Sequence, residues 1–285
     1  MNLNDYNTSC QPNWCPGCGN FGTWTAWKQA AASQNWDNSN TALVAGIGCH
    51  GHLVNFTNIN SIEGLHGRPL PVATGVKLAN NKLNVFVFTG DGDCLAEGGN
   101  HFMNTCRRNH DLTIILHDNA IYGLTTGQTS PRTPMGFKSK STPLGNIDMP
   151  LNPLEVAIAA GATFVARVFC MDIPKLTEII IAANNHKGVA LIDVLQPCPS
   201  FNPEYTAQYL KENTYYVDDS YDPSNKLGAI EKAMAWGDKQ IACGILYQDK
   251  KQKSYEELIP FIQDQAVVSL PLQTRDVSSL FNKLT

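Results

Sequence analysis

Charged residues are scarce in this sequence. Asp, Glu, Lys and Arg make up 16% of its 285 residues, against about 25% in an ordinary globular domain. The charge that is present has little bias, 21 Lys plus Arg against 25 Asp plus Glu for a formal net charge of −4. No basic cluster of the kind nucleic acid requires stands out, so a nucleic-acid partner is not expected. Long apolar runs are also missing. None approaches the roughly 18 residues of a spanning helix, and no membrane association is expected. The opening residues Met1-Asn2-Leu3-Asn4-Asp5 carry neither the basic nor the apolar stretch of an export signal, which gives the expectation of a cytoplasmic protein. Internal repeats and low-complexity tracts are absent as well.

Cysteine, by contrast, is plentiful: nine residues, an odd number. In a reducing compartment disulfides are not expected, so clustered cysteines point to metal ligands or reactive groups. Scarce charge adds a second expectation, that part of the surface is buried against other subunits.

The hydrophobic pattern reads as alternating strands and helices. Residues 1–20 are polar and cysteine-bearing and read as loop, and Phe21 to Gln34 as a helix. Thr41–Ile47, Leu83–Thr89, Leu112–His117, Thr163–Val168 and Val189–Leu195 are short apolar, β-branched runs that predict buried strands. Leu95–Arg108 and Ile173–Asn184 predict helices between them. Asn152-Pro153-Leu154-Glu155 is a helix start, with Asn as cap, Pro in the first turn and Glu two residues further on; that helix is expected to run to about Ala160. Thr125 to Met149 is rich in Thr, Ser, Pro and Gly, and a loop of that length is usually functional or mobile. Beyond residue 200 the pattern weakens, with helices expected near 225–236 and 254–265. The resulting expectation is a parallel, doubly wound α/β sheet in residues 1–200 with a C-terminal extension over 201–285 packing on the same domain.

In such sheets ligands bind beyond the carboxyl ends of the strands, and the chemistry-bearing residues fall there. Gly90-Asp91-Gly92-Asp93 follows one strand and Asp118-Asn119-Ala120-Ile121-Tyr122-Gly123 ends the next. Glycines permit a sharp turn and close ligand approach, and a helix start offers free N–H groups to phosphate. Asp91 and Asn119 could share one Mg2+, which favours hard oxygen ligands. Taken alone, GDG is equally an ordinary turn. Trp14-Cys15-Pro16-Gly17-Cys18-Gly19 has three readings: a zinc knuckle, a redox dithiol, or a pair of iron–sulfur ligands. A dithiol normally opens a helix after a strand, and zinc usually needs a second CxxC or a His pair.

The GDGD run together with Asn119-Ala120-Ile121-Tyr122-Gly123-Leu124-Thr125 and WCPGCG resembles the thiamine-diphosphate-binding β subunit of 2-oxoacid:ferredoxin oxidoreductases, over roughly residues 10 to 200. The resemblance implies that Asp91, Asn119 and the Ile121 carbonyl bind Mg2+, while Gly92, Asp93, Gly123 and Leu124 line the diphosphate. It implies a [4Fe–4S] cluster on Cys15, Cys18, Cys49 and Cys198, leaving Cys10, Cys94, Cys106, Cys170 and Cys243 to packing. It places His66, in Leu65-His66-Gly67-Arg68-Pro69, against the diphosphate, and Ile47, Gly48, Cys49 and His50 at the cofactor. From the residues alone, His66 could equally be a capped turn, and Arg68 a structural residue or a carboxylate clamp. His50, His66 and Arg68 are the candidate catalytic side chains. Relatives carry small hydroxyl residues followed by Lys or Arg where this chain has His50 and His52, and a histidine there could donate to a substrate carboxylate with a pH-dependent charge.

The activity implied is the reversible oxidative decarboxylation of a 2-oxoacid, with 2-oxoglutarate ahead of pyruvate and branched-chain oxoacids. Coenzyme A takes the acyl group and ferredoxin the electrons. The glutamate that activates the cofactor must come from an α subunit, and the resemblance implies an α2β2 assembly. A cluster-free thiamine-dependent decarboxylase would leave WCPGCG unexplained. A zinc-stabilised binding module would leave GDG and its paired asparagine unexplained.

Overall fold

The computed structural model describes residues 2–237, 240–263, 265–271 and 278–281. Its centre is an eight-stranded sheet built from β1 (Thr41–Ala45), β2 (Ser61–Glu63), β3 (Asn84–Gly90), β4 (Thr113–Asp118), β5 (Phe164–Phe169), β6 (Ala190–Leu195), β7 (Thr214–Tyr216) and β8 (Ile241–Gln248). Across the sheet the order is β2-β1-β3-β4-β6-β5-β8-β7. Every pairing is parallel except β5 with β8, which is antiparallel and slips register between Val165 and Ala166.

The central strands are buried on both faces, which is why they read as continuous apolar runs. Alternation is still visible. On β3, Phe86 and Phe88 enter one core while Val85 and Val87 enter the other. The first core is covered by α1 (Asn20–Gln34) and α6 (Ile173–Asn185), with Trp27 fully buried against Phe86 and Phe88. The second is covered by α3 (Pro69–Ala79), α4 (Gly99–Arg108), α5 (Pro153–Ala160) and α8 (Lys226–Met234). Helices on both faces of a mostly parallel sheet make the expected doubly wound architecture.

Several local expectations need correction. The helix expected over 95–108 is two pieces: a five-residue π-helical turn over Asp93–Glu97, closed by Gly98 N donating to the Asp93 carbonyl at 2.9 Å, and then α4. The Gly98-Gly99 pair is the weak point that lets the ladder shift, and such π turns concentrate at functional sites. The helix expected over 254–265 is two 3-10 turns, Glu256–Leu258 and Pro260–Ile262, because Pro260 cannot continue the first; Asp264 lies outside the described residues. Residues 1–20 contain a 3-10 turn, Leu3–Tyr6, pinned by the buried Tyr6 hydroxyl donating to the Trp36 carbonyl at 2.7 Å. The strands β2, β7 and β8 and the helices α2 (Leu53–Phe56), α3 and α7 (Ala207–Asn213) carried no sequence signal strong enough to read, although α3 opens with Pro69 in its first turn. The extension after residue 200 supplies the last two strands of the sheet, while residues 238–239, 264, 272–277 and 282–285 of it lie outside the described residues. Among the described residues no helix is long and apolar enough to cross a membrane.

Candidate active site

The strands β1, β3, β4 and β6 are parallel neighbours or next neighbours, so their carboxyl ends open on the same edge of the sheet. A cavity of about 370 Å3 lies there. After β1 it is lined by Ile47, Gly48, Cys49 and His50; after β3 by Gly90-Asp91-Gly92-Asp93; after β4 by Asn119 and Ile121 to Thr125. His66 and Gln196 complete this edge. The residues expected at a cofactor, including Gly92, Asp93, Gly123 and Leu124, therefore come together around one space.

The turn after β4 is held in an uncommon backbone shape. Ala120 has φ 56, a left-handed conformation that costs a non-glycine residue about 1 kcal/mol or more. Two hydrogen bonds compensate it: Ala120 N donates to Asp118 Oδ1 at 3.3 Å, and Thr133 Oγ1 donates to the Ala120 carbonyl at 2.7 Å. The kink puts Asn119 and Ile121 on the cavity while Ala120 lines a separate pocket behind it. Asn119 Oδ1 accepts from Ile121 N at 3.0 Å, and its carbonyl accepts from Asn202 Nδ2 at 2.9 Å.

The two carboxylates of GDGD do different things. Asp91 is 2% exposed and lines the cavity. Its Oδ2 accepts the Ser130 hydroxyl, and no bond from another described residue occupies Oδ1. Burial, and then the neighbouring Asp118 carboxylate, push its carboxyl well up. Asp93 is a knot. Its Oδ1 accepts Gly67 N at 2.7 Å and Ile47 N at 3.1 Å, and its Oδ2 accepts Thr89 Oγ1 at 2.7 Å. It ties the loops after β1 and before α3 to β3, with both oxygens engaged.

Of the histidines, His50 is buried, its ring filling the space that side chains at Gly48 and Gly90 would need. Its Nε2 has no partner. Burial pulls it down to about 3, with His52 adding to the effect, so His50 is neutral at physiological pH rather than a charge that switches there. That corrects the expectation of a pH-dependent charge, and the reason is desolvation of a ring that is only 5% exposed. His66 is exposed at the cavity rim. Arg68 is not among the cavity's lining residues; its Nη1 donates to the carbonyls of Glu97 at 3.1 Å and Gly67 at 3.4 Å, bracing the loop instead of facing a ligand.

His117, Gln196, Glu97 and Tyr122 also line the cavity and were not expected there from their sequence setting. His117 was legible only as the end of an apolar strand, where a lone polar residue at the carboxyl edge is a usable signal. Its Nδ1 lies 2.9 Å from Asn20 Oδ1 and 3.1 Å from Gln196 Oε1, which sets Nδ1 as the protonated nitrogen. Its ring stands 5.5 Å from that of His50. Tyr122 and Glu97 are joined by the phenol donating at 3.2 Å.

The four cysteines expected as cluster ligands come from three loops that converge beside this cavity. Cys18 N donates to the Cys15 carbonyl at 3.0 Å, and Gly17 has φ 80, a turn glycine can adopt at little cost. Trp14 Nε1 donates to the Cys49 carbonyl at 2.7 Å, docking the N-terminal loop on the β1 loop. A Cβ on Gly123 would stand 3.5 Å from Cys198 Sγ and 3.7 Å from Cys49 Sγ, so those sulfurs lie beside the turn after β4. The Cys18 thiol is pushed up to about 12, first by burial and then by Cys49, Cys198 and Cys15; Cys49 is pushed up to about 11 by burial, Cys198 and Cys15. Among the described residues no three His, Cys, Asp or Glu side chains are arranged to hold a single metal ion. Cys94, Cys106, Cys170 and Cys243 are buried, as packing residues are, whereas Cys10 is exposed, which corrects its assignment to packing.

Residues 22–194 match the model of the thiamine pyrophosphate enzyme C-terminal TPP-binding domain. Residues 198–264 match that of the C-terminal region of the pyruvate ferredoxin oxidoreductase beta chain. The protein is 44% identical over 263 residues to 2-oxoacid:ferredoxin oxidoreductase 1, subunit beta, of Aeropyrum pernix, covering 88% of this chain and 82% of that one. It is 41% identical over 203 residues to the 2-oxoglutarate synthase subunit KorB of Archaeoglobus fulgidus, covering 70% and 76%. Among solved structures, the 2-oxoglutarate:ferredoxin oxidoreductase of Magnetococcus marinus, with 2-oxoglutarate, coenzyme A and succinyl-CoA bound, is similar at a TM-score of 0.90 and 32% identity, covering 100% of this chain and 96% of that one.

Proposed function

The chain belongs to the β subunits of the 2-oxoacid:ferredoxin oxidoreductases, and we propose that, with an α subunit, it carries out the oxidative decarboxylation of 2-oxoglutarate to succinyl-CoA. Being a β subunit, it has an α partner. The observation that carries the proposal is the juxtaposition at Gly123: a cavity holding Asp91, Asn119 and Ile121 on one side, and Cys49 and Cys198 sulfurs on the other.

The residues present fit thiamine diphosphate with Mg2+. Asp91 Oδ1, Asn119 and the Ile121 carbonyl are hard oxygen donors at two adjacent strand ends, the chemistry Mg2+ selects. Gly92, Gly123 and Leu124 would line the diphosphate, with Ile47, Gly48, Cys49 and His66 around it. Asp93 would act from behind, holding two of the lining loops in place. Thiamine diphosphate, when bound, supplies the electron sink that lets a 2-oxoacid lose its carboxylate. His50 lines the same cavity as a neutral ring and would be a candidate contact for the cofactor and the substrate; Arg68 is left out of the catalytic set. Cys15, Cys18, Cys49 and Cys198 would hold a [4Fe–4S] cluster, the cofactor suited to one-electron transfer. Burial pushes the thiols of Cys18, Cys49 and Cys198 up, and the positive charge of bound iron would favour their ionised form.

Ferredoxin is proposed to dock near the loop of Cys15 and Cys18, and the location is proposed to be the cytoplasm. An α2β2 assembly is proposed on the family resemblance, and the exposed apolar side chains of Leu144, Ile147 and Met149 are compatible with a subunit contact there. The test is an assay of the purified αβ complex with a panel of 2-oxoacids, CoA and a viologen dye. Dye reduction should be fastest with 2-oxoglutarate, and pyruvate or a branched-chain oxoacid ahead of it would overturn the substrate choice. Asp91→Ala should lose thiamine diphosphate binding and keep its iron; loss of both would place the damage in the fold rather than the site.

A further inference from the structure

The two halves of the cavity's oxygen-donor set, Asp91 after β3 and the 119–121 turn after β4, are both held from behind by four consecutive residues, Ser130 to Thr133. Ser130 Oγ accepts Arg132 N at 3.2 Å. Thr133 N donates to the Ser130 carbonyl at 3.0 Å, and Ser130 N to Thr133 Oγ1 at 2.8 Å, so the turn is internally closed. Each hydroxyl then has one proton left to give. The Ser130 proton goes to Asp91 Oδ2 and the Thr133 proton to the Ala120 carbonyl. With Asp91 ionised, as a cation ligand must be, the directions are fixed, because a carboxylate and a carbonyl can only accept.

The same turn also separates two carboxylates. Asp91 and Asp118 end adjacent strands and repel each other across a buried site. Arg132 Nε donates to Asp118 Oδ2 at 2.7 Å, and Ala120 N occupies Asp118 Oδ1, so both oxygens of Asp118 are engaged and it does not line the cavity. Ser130 engages only one oxygen of Asp91. One carboxylate oxygen, Asp91 Oδ1, is left for a ligand.

We propose that Ser130 is a positioning residue for the divalent cation: by holding Asp91 Oδ2 it aims Oδ1 into the cavity, while Arg132 withdraws Asp118 and Thr133 holds the turn that carries Asn119 and Ile121. The inference rests on the reading of Asp91 as a cation ligand. Partners behind a metal ligand typically contribute 10–100-fold in affinity, which sets the expected effect.

The test uses the αβ complex, freed of metal and supplied with thiamine diphosphate, with Mn2+ as the probe followed by electron paramagnetic resonance. Ser130→Ala should bind Mn2+ at least ~10-fold more weakly while the metal-free complex melts within a degree or so of the parent. Ser130→Thr, which keeps the hydroxyl, should restore most of the affinity. Asp91→Asn serves as the reference. If Asp91→Asn loses Mn2+ and Ser130→Ala binds as the parent does, Ser130 has no positioning role and the inference fails alone. If Asp91→Asn itself binds as the parent does, the reading of Asp91 fails and takes the inference with it. A Ser130→Ala loss matched by a lower metal-free melting point and not restored by threonine would make the role structural and overturn the proposal.

Discussion

Removing the carboxylate of Asp93 should cost stability before it costs catalysis. The side chain is 3% exposed and accepts three hydrogen bonds, from Gly67 N, Ile47 N and Thr89 Oγ1. In Asp93→Ala the threonine can turn its hydroxyl elsewhere, but two backbone amides lose their acceptor, at about 1–3 kcal/mol each. A total of about 4 kcal/mol follows. Unfolding entropy of about 2.1 cal/mol/K per residue gives roughly 0.6 kcal/mol/K for a chain of this length, so the melting temperature should fall by about 7 °C. Asp93→Asn keeps one acceptor oxygen for both amides and loses only the Oδ2 acceptor that faces Thr89, so about 1–2 kcal/mol and 2–3 °C are expected. Scanning calorimetry of the metal-free protein reads both. An Asp93→Ala variant melting within about a degree of the parent would refute the claim that this carboxylate ties the three loops together. So would an alanine variant no worse than the asparagine one. Because Ile47 and Gly67 flank the cavity, the alanine variant should also bind thiamine diphosphate more weakly, as a consequence of the loosened loops.

Two further outcomes are expected. Cys198→Ala should lose or degrade the iron, whereas Cys243→Ala, buried on β8 within the core, should keep the parent's iron per chain; equal iron in the two variants would dissolve the assignment of ligands. Glu256 provides a pH test. Burial pushes its carboxyl up, but His110 Nδ1 at 2.8 Å and Asp111 N at 2.9 Å outweigh that and hold it below the ordinary value of 4.5. A folded-state value below the unfolded one means that the stability it contributes is fully present above the unfolded value and is lost as pH falls through the folded one. The melting-temperature gap between the parent and Glu256→Gln should therefore be present at about pH 5 and close as pH falls below about 4.5. A gap unchanged at about pH 3 would refute the depressed value.

Much of the architecture was legible in local pattern. Runs such as NVFVF and TIIL read as buried strands, and Asn152-Pro153 marked the start of α5, where Asn152 Oδ1 does accept from Leu154 N and Glu155 N. Where local pattern failed, a specific competitor won. At 93–108 a glycine pair redirected the helix into a π turn. β8 carried no readable period because it joins the sheet antiparallel through a register slip, with an internal glycine at φ 112. Strands β2 and β7 are three residues each, too short for a period to show.

The site divides along the same line. Sequence alone determined the kinds of group available: an aspartate flanked by glycines at a strand end, an asparagine at the end of the next strand, and a CxxC in a loop. Those are properties of chemistry and near-neighbour spacing, readable without coordinates. Only the tertiary structure decided that Asp91 offers one oxygen and Asp93 none, that burial keeps His50 neutral, and that Ser130 stands behind Asp91. These depend on partners far away in the chain, Asp93 on Gly67 and Ile47, Asp91 on Ser130, His117 on Asn20. Hydrogen-bond saturation and desolvation are set by which loops the sheet's strand order brings to one edge, and no local periodicity encodes that order.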